Sequence, residues 1–377
     1  MAALLLFMAL VAGCGRGAAP YVDERWRVGM GAVGLDVDPA AERVAVVCKR
    51  SNDVWVLSLK DGAVQVRVDT LPKPRAVLFH PDGSTFYVAE GLSSVAQVRL
   101  SDRRVARRFR PRSRVGRLAY EPLSKRLFGG HVGLPTLGVY RLKDMHLETV
   151  VAVGGEVQDV AFLDQDAWVL TRQADALVRL GLTNMSVKTA SATGPEPRSL
   201  VLDGERLAYV ACRGRQGEAA ALELPTPVPT AEALSPLSET AESGDEEGTT
   251  VTAAVADDAE LDDEEDQPLA LDLNALHRFD GGGVAVLRLE DVRRVDYLAV
   301  PGGPLALVLS PSGTRLAVAC EDGFLRMVDL PKRKVMQVLK LNARPGAMIA
   351  DPDGRHLLLA LADEKAVLRI LPGEGWR

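Results

Sequence analysis

Pro74-Arg75-Ala76-Val77-Leu78-Phe79-His80-Pro81-Asp82-Gly83 is an apolar run that breaks into a turn, and the residues after it complete a unit. Thr85-Phe86-Tyr87-Val88-Ala89-Glu90 and Val95-Ala96-Gln97-Val98-Arg99-Leu100 follow, and Arg104-Val105-Ala106-Arg107-Arg108-Phe109 closes it. These are four short strand signals in a row, and Asp82-Gly83 supplies residues that accept the positive φ of a tight hairpin. The same grammar returns along the chain. Pro122 stands 41 residues after Pro81, and Pro352 stands 41 after Pro311. Pro39 opens the turn of an earlier copy, and two copies lack the proline: Val160-Ala161-Phe162 with Trp168-Val169-Leu170, and Arg198 to Gly204 with Leu207 to Val210. That makes seven. Four-strand units of about 40–45 residues signal propeller blades, not a solenoid. The expected fold is therefore all-β, a seven-bladed β-propeller spanning residues 22–377.

Tyr87-Val88-Ala89-Glu90 and Tyr209-Val210-Ala211-Cys212, each after a turn and before an apolar third strand, resemble the YVTN-type repeats of bacterial seven-bladed propellers. The resemblance implies the fold over nearly all of residues 22–372. It says little about activity, because such propellers include surface proteins and lactonase relatives. The seventh copy is one strand short: only Pro372 to Arg377 follow Ala366–Leu371. Val22-Asp23-Glu24-Arg25-Trp26-Arg27-Val28 alternates like a strand and has no blade of its own. It is expected to complete the last blade and remove an exposed edge.

Composition places limits on the rest. The chain has 377 residues, 47% apolar and 25% charged, with 5% aromatic, so its core is built from Val, Leu and Ala. Residues 225–280 hold sixteen Asp or Glu against one Arg, with a run at Asp262-Asp263-Glu264-Glu265-Asp266. This segment lies in an insertion at about 217–282, between the second and third strands of the fifth copy. Its composition is that of a disordered segment, with a short helix expected at Leu269–Leu276. Its net charge is −15, while the rest of the chain, with 44 Lys or Arg and 35 Asp or Glu, carries +9. The overall −6 therefore conceals two opposed parts, and the insertion is expected to act as a mobile cover over a basic face. The basic excess is densest in Arg103, Arg104, Arg107, Arg108, Arg110, Arg112, Arg114 and Arg117, assigned to the last strand of the second copy and the following loop. No aromatic residues for base stacking interleave with them, and nucleic acid is not expected as a partner.

The N-terminus reads as an address. Ala2 to Gly13 is an uncharged run too short to span a bilayer. Leu10-Val11-Ala12-Gly13-Cys14 resembles the bacterial lipobox, which implies a signal peptide over residues 1–13, lipidation of Cys14, a tether at 14–21 and attachment to the membrane. Gly15 after that cysteine resembles the pattern that directs lipoproteins to the outer membrane, facing the periplasm or the cell surface.

Candidate chemistry is sparse. Cys48, Cys212 and Cys320 fall at the same repeat position, too far apart for disulfides, and read as buried thiols. The histidines show no zinc-type spacing, and no nucleophile elbow or phosphate loop occurs, so no metal, cofactor or catalytic residue is assigned. Asp38, Glu121, Asp164, Asp203 and Asp351 recur near the first turn and read as turn caps. The residue starting the innermost strand runs Val33, Arg75, Gly116, Gln158, Arg198, Leu305 and Gly346 around the ring. Arg75, Gln158 and Arg198 there, with Arg213 and Arg215 nearby, form a candidate site for a carboxylate or phosphate. The same side chains can instead pair with the acidic insertion. This ring of positions holds no carboxylate or histidine, unlike a lactonase-type metal site. The expectation is a monomeric, membrane-anchored, non-catalytic binding or scaffolding propeller, its partner an envelope protein or an anionic ligand. The alternative is a lactonase-like or other propeller enzyme acting at the channel mouth.

Overall fold

The computed structural model describes residues 19–204, 206–214 and 282–377. The signal-peptide and lipidation reading at Cys14, the candidate Arg215, the acidic run and the helix expected at Leu269–Leu276 all lie outside these residues.

Every regular element among the described residues is a strand, and the strands form seven four-stranded antiparallel sheets. Blade one holds β2 (Ala32–Val37), β3 (Arg43–Cys48), β4 (Asp53–Ser58) and β5 (Val64–Asp69). Blade two holds β6 (Ala76–Phe79), β7 (Thr85–Glu90), β8 (Ser94–Arg99) and β9 (Arg104–Phe109). Blade three holds β10 (Val115–Glu121), β11 (Arg126–His131), β12 (Thr136–Arg141) and β13 (His146–Ala152). Blade four holds β14 (Glu156–Leu163), β15 (Asp166–Arg172), β16 (Ala176–Gly181) and β17 (Val187–Ala192). Blade five holds β18 (Pro197–Leu202), β19 (Leu207–Cys212), β20 (Gly283–Arg288) and β21 (Arg293–Ala299). Blade six holds β22 (Pro304–Leu309), β23 (Arg315–Cys320), β24 (Phe324–Asp329) and β25 (Lys334–Lys340). Blade seven holds β26 (Pro345–Ala350), β27 (Leu357–Leu361) and β28 (Ala366–Leu371), and its outer strand is β1 (Tyr21–Arg27). The N-terminal strand thus closes the ring, pairing Trp26 with Val367 and Arg25 with Leu368.

The second strand of each blade is almost wholly buried, because neighbouring blades cover both of its faces. In β3, β7, β11, β19 and β23 every residue after the first is buried. The core is accordingly seven clusters, one in each gap between blades. Ala45, Val47 and Val54 of blade one meet Val77, Phe79 and Phe86 of blade two, for example. In the closing gap Trp26 and Val28 join Leu358, Ala360 and Val367 of blade seven to Val44, Val46 and Leu59 of blade one. Gly62, at φ 67°, turns the last hairpin of blade one, and a Cβ there would meet the Trp26 indole at 2.1 Å.

A second regularity places the site. In six blades the pairing of the first and second strands skips near its start, between Ala32 and Gly34, Val115 and Arg117, Val157 and Asp159, Pro197 and Ser199, Pro304 and Ala306, and Pro345 and Met348. The skipped residues include Val33, Gly116, Gln158, Arg198, Leu305 and Gly346. A bulge re-aims the side chain that it carries and resets the alternation after it. The first strands start, and the second-to-third and inter-blade connections lie, at one end of the channel, here called the mouth face.

Candidate functional site: the basic channel mouth

The first strands enclose a central cavity of about 620 Å³ whose wall includes Asp36, Arg75, Arg117, Asp159, Arg198 and Ser199. Two of the expected site residues, Arg75 of blade two and Arg198 of blade five, therefore line the same cavity. In each the Nε is buried and has no hydrogen-bond partner among the described residues. Arg75 crosses toward blade three, where a Cβ at Gly116 would lie 3.9 Å from its Cδ. Its guanidinium is held below the usual arginine value first by burial and then by Arg114, with Glu156 opposing. Burial likewise lowers Arg198, whose Nη2 donates to Glu196.

Gln158 is not brought to this cavity. It sits at the bulge of blade four, and its amide turns back toward the carbonyls of Glu156 and Val157, at 3.5 and 3.4 Å, outside the cavity wall. Arg213 lies on the mouth face but is already engaged. It donates to Glu321 at 2.5 Å and to Glu196 at 3.4 Å, and the bond to Glu321 holds its guanidinium above the ordinary value. Arg344 completes this network on Glu321 at 2.8 Å, and Arg172 pairs with Glu156 at 2.5 Å.

The basic run assigned to the outer strand also divides. Arg104 approaches Asp102 at 3.8 Å, and Arg108 binds the buried Glu90 at 3.1 Å. Arg107 lies over the Phe109 ring and donates to Gln97 and to the Lys143 carbonyl. Arg110, Arg112 and Arg114 are exposed in the inter-blade segment. Arg117 is a correction: the bulge at Gly116 places it on β10 in the channel wall.

The channel does hold carboxylates, which the ring of strand-start positions lacks. Asp36 accepts the Phe79 N–H of the next blade at 2.6 Å, and Asp159 accepts that of Leu200 at 2.9 Å. Ser199 faces the Leu307 N–H in the same way at 3.4 Å. These side chains serve the free inner edges of neighbouring blades, whose amides otherwise lack a strand partner. Burial pushes Asp36 up to about 6, against the hydrogen bonds it accepts, and also raises Asp159, against first the charge of Arg117 and then the hydrogen bonds it accepts. Both interrupt apolar runs, Val33–Val37 and Val157–Leu163, which is the signal that marks them in the sequence.

The remaining groups are structural. Cys48, Cys212 and Cys320 are free and buried, and their thiols lie near the carbonyls of Val46, Val210 and Val318 at 3.9, 3.7 and 3.7 Å. Burial raises each thiol to about 12, so none is poised as a thiolate near neutral pH. Asp38, Glu121 and Asp203 cap their turns by accepting two backbone N–H bonds each. Asp164 instead occupies the turn itself at φ 54°. Asp351, Asp353 and His356 converge on one turn of blade seven. The Arg369 guanidinium already supplies a cation there, 3.3 Å from His356 Nδ1 and 3.7 Å from Asp351, and Asp23 of β1 stands 3.7 Å from His356 Nε2. The chain matches no known protein family model, and no curated protein matches it in sequence.

Proposed function

We propose that this chain is a YVTN-type binding propeller, non-catalytic and monomeric, that takes a multiply charged anion at its channel mouth. We further propose that lipid on Cys14 anchors it to the outer membrane, where the anionic group belongs to an envelope partner or a small ligand. The observation that carries the ligand reading is the pair of buried, unpartnered Nε donors on Arg75 and Arg198 in one cavity. A buried donor without an acceptor costs about 1–3 kcal/mol. An anion in the cavity that reaches either guanidinium offsets part of that cost through charge-assisted bonds. Binding is favoured over lactonase-type catalysis because Asp36 and Asp159, the channel carboxylates, already hold backbone amides of neighbouring blades.

Calorimetric titration of the full chain with inorganic pyrophosphate tests the reading. Arg75→Ala combined with Arg198→Ala should weaken binding about tenfold or more, and the parent affinity should fall as salt rises. Pyrophosphate binding that is absent, or unchanged in the double variant, would end the proposal.

A further inference from the structure

The cations of the mouth face are not evenly compensated. Across blades four to seven, Arg172, Arg198, Arg213 and Arg344 are held by Glu156, Glu196 and Glu321. In the sector of blades one to three, Lys49, Lys73, Arg75, Arg110, Arg112, Arg114 and Arg117 form no ion pair among the described residues. Of the acids near that sector, Asp53 is used by Arg67, Glu90 by Arg108 and Asp363 by Arg50, which leaves the exposed Asp69 as one acid there without an ion pair among the described residues. The unpaired cations sense one another, for Lys49 is lowered by burial and then by Arg75 and Lys73. They run from the rim to the channel, because Arg110, Arg112 and Arg114 lead from the outer strand β9 to Arg117 and Arg75 in the cavity wall.

The backbone of the same stretch is also without hydrogen-bond partners among the described residues. Past Phe109, which still pairs with Val95, no backbone hydrogen bond reaches Arg110 to Ser113 among the described residues; the next is from Val132 N–H to the Arg114 carbonyl. The segment therefore leaves the N–H groups of Arg110, Arg112 and Ser113 (Pro111 has none) and the carbonyls of Arg110 to Ser113 without a backbone partner among the described residues, between exposed arginines.

We infer that the Arg110–Arg114 segment, continued by Arg117 and Arg75 into the channel, is a docking surface for an extended acidic polypeptide segment of a partner protein. This rests on the anion reading of the mouth and names the partner. A polypeptide satisfies both features at once: its carboxylates meet the guanidinium forks, and its main chain pairs with the free peptide groups. An anionic bilayer supplies charge but no main-chain partner, and its flat headgroup layer does not enter the cavity where Arg75 and Arg117 lie. Nucleic acid is disfavoured because the only aromatic ring at this segment, Phe109, is covered by Arg107.

The test uses fluorescence anisotropy of labelled decaglutamate with the full chain, beside two variants of equal charge change. Arg110→Glu with Arg112→Glu should lower affinity about tenfold or more. Arg103→Glu with Arg104→Glu, on the opposite face of blade two, should leave it within about twofold. Equal losses in the two variants, or no decaglutamate binding by the parent, overturn the inference. So does binding to vesicles containing phosphatidylglycerol that depends on Arg110 and Arg112 while decaglutamate fails to bind. Pyrophosphate separates the two readings. If it binds in a manner dependent on Arg75 while decaglutamate does not, the channel site stands and the polypeptide surface falls; if both fail, the anion reading of the mouth falls with it.

Discussion

Replacing Trp26→Ala should test how much of the ring depends on its N-terminal clasp. Trp26 is 5% exposed, its Nε1 donates to Glu24 at 2.6 Å, and its indole lies against Gly62 of blade one and beneath Arg369 of blade seven. A buried tryptophan covers about 150–250 Å², which at about 25 cal/mol/Å² is roughly 4–6 kcal/mol. Alanine keeps a part of this, while the cavity left behind adds to the loss, so the expected destabilisation is about 3–5 kcal/mol. Equilibrium urea unfolding followed by circular dichroism reads it as a fall of about 1 M in midpoint, for an m of about 3–4 kcal/mol/M. Arg27→Ala, the exposed neighbour on the same strand, is the control and should change stability by no more than about 0.5 kcal/mol. A Trp26→Ala loss below about 1 kcal/mol would mean that β1 decorates a ring already closed by β26 to β28, and the clasp argument would be wrong.

Two further outcomes follow from the channel carboxylate and the N-terminus. Burial pushes the folded-state pKa of Asp36 up to about 6 from an ordinary aspartate value of about 3.9, so the folded state binds more protons than the unfolded state between those values. Stability therefore falls as pH rises through that window. Asp36→Asn, whose amide oxygen can still accept the Phe79 N–H, should gain roughly 1–3 kcal/mol above pH 6 and lose the gain as pH falls toward 4; a gain independent of pH in urea unfolding would contradict this. Cys14→Ala should move the protein from the membrane pellet to the soluble fraction or leave an uncleaved precursor; unchanged fractionation and mass would remove the lipid anchor.

The fold was legible because its grammar is local. Most blades announce their second strand as a continuous apolar run, as in Val44–Cys48 and Leu316–Cys320, and a missing strand at one end was matched by an orphan strand at the other. The site was legible only in part, because a bulge leaves no mark on residue types. At Gly116 it carries Arg117 into the channel, although the arginines before it on β9 face outward. At Gln158 it turns the amide onto its own backbone, whereas the same device at Arg198 leaves the guanidinium in the cavity wall. The pairing of Arg213 with Glu321 spans two blades and 108 positions, and no repeat alignment reveals it.

The charges of the channel sort by what already holds them, and that sorting separates structure from function. Asp36, Asp159 and Ser199 each offer an oxygen to an amide of the following blade, where the inner edge of a propeller has no further strand. They would be needed if nothing ever entered the channel. Glu156, Glu196 and Glu321 similarly neutralise the arginines around them on one side of the mouth, and Glu321 fastens blade six to Arg213 of blade five. Arg75 and Arg117 form no ion pair among the described residues; each senses a carboxylate only at longer range, Glu156 and Asp159 respectively, and both stand in the wall of the same cavity. A folded chain gains nothing by burying an arginine Nε without an acceptor, and an alanine at position 75 would leave the inner strand intact. An incoming anion gives that nitrogen a partner, which is why a loss of pyrophosphate binding without a loss of stability is the pattern to expect from Arg75→Ala.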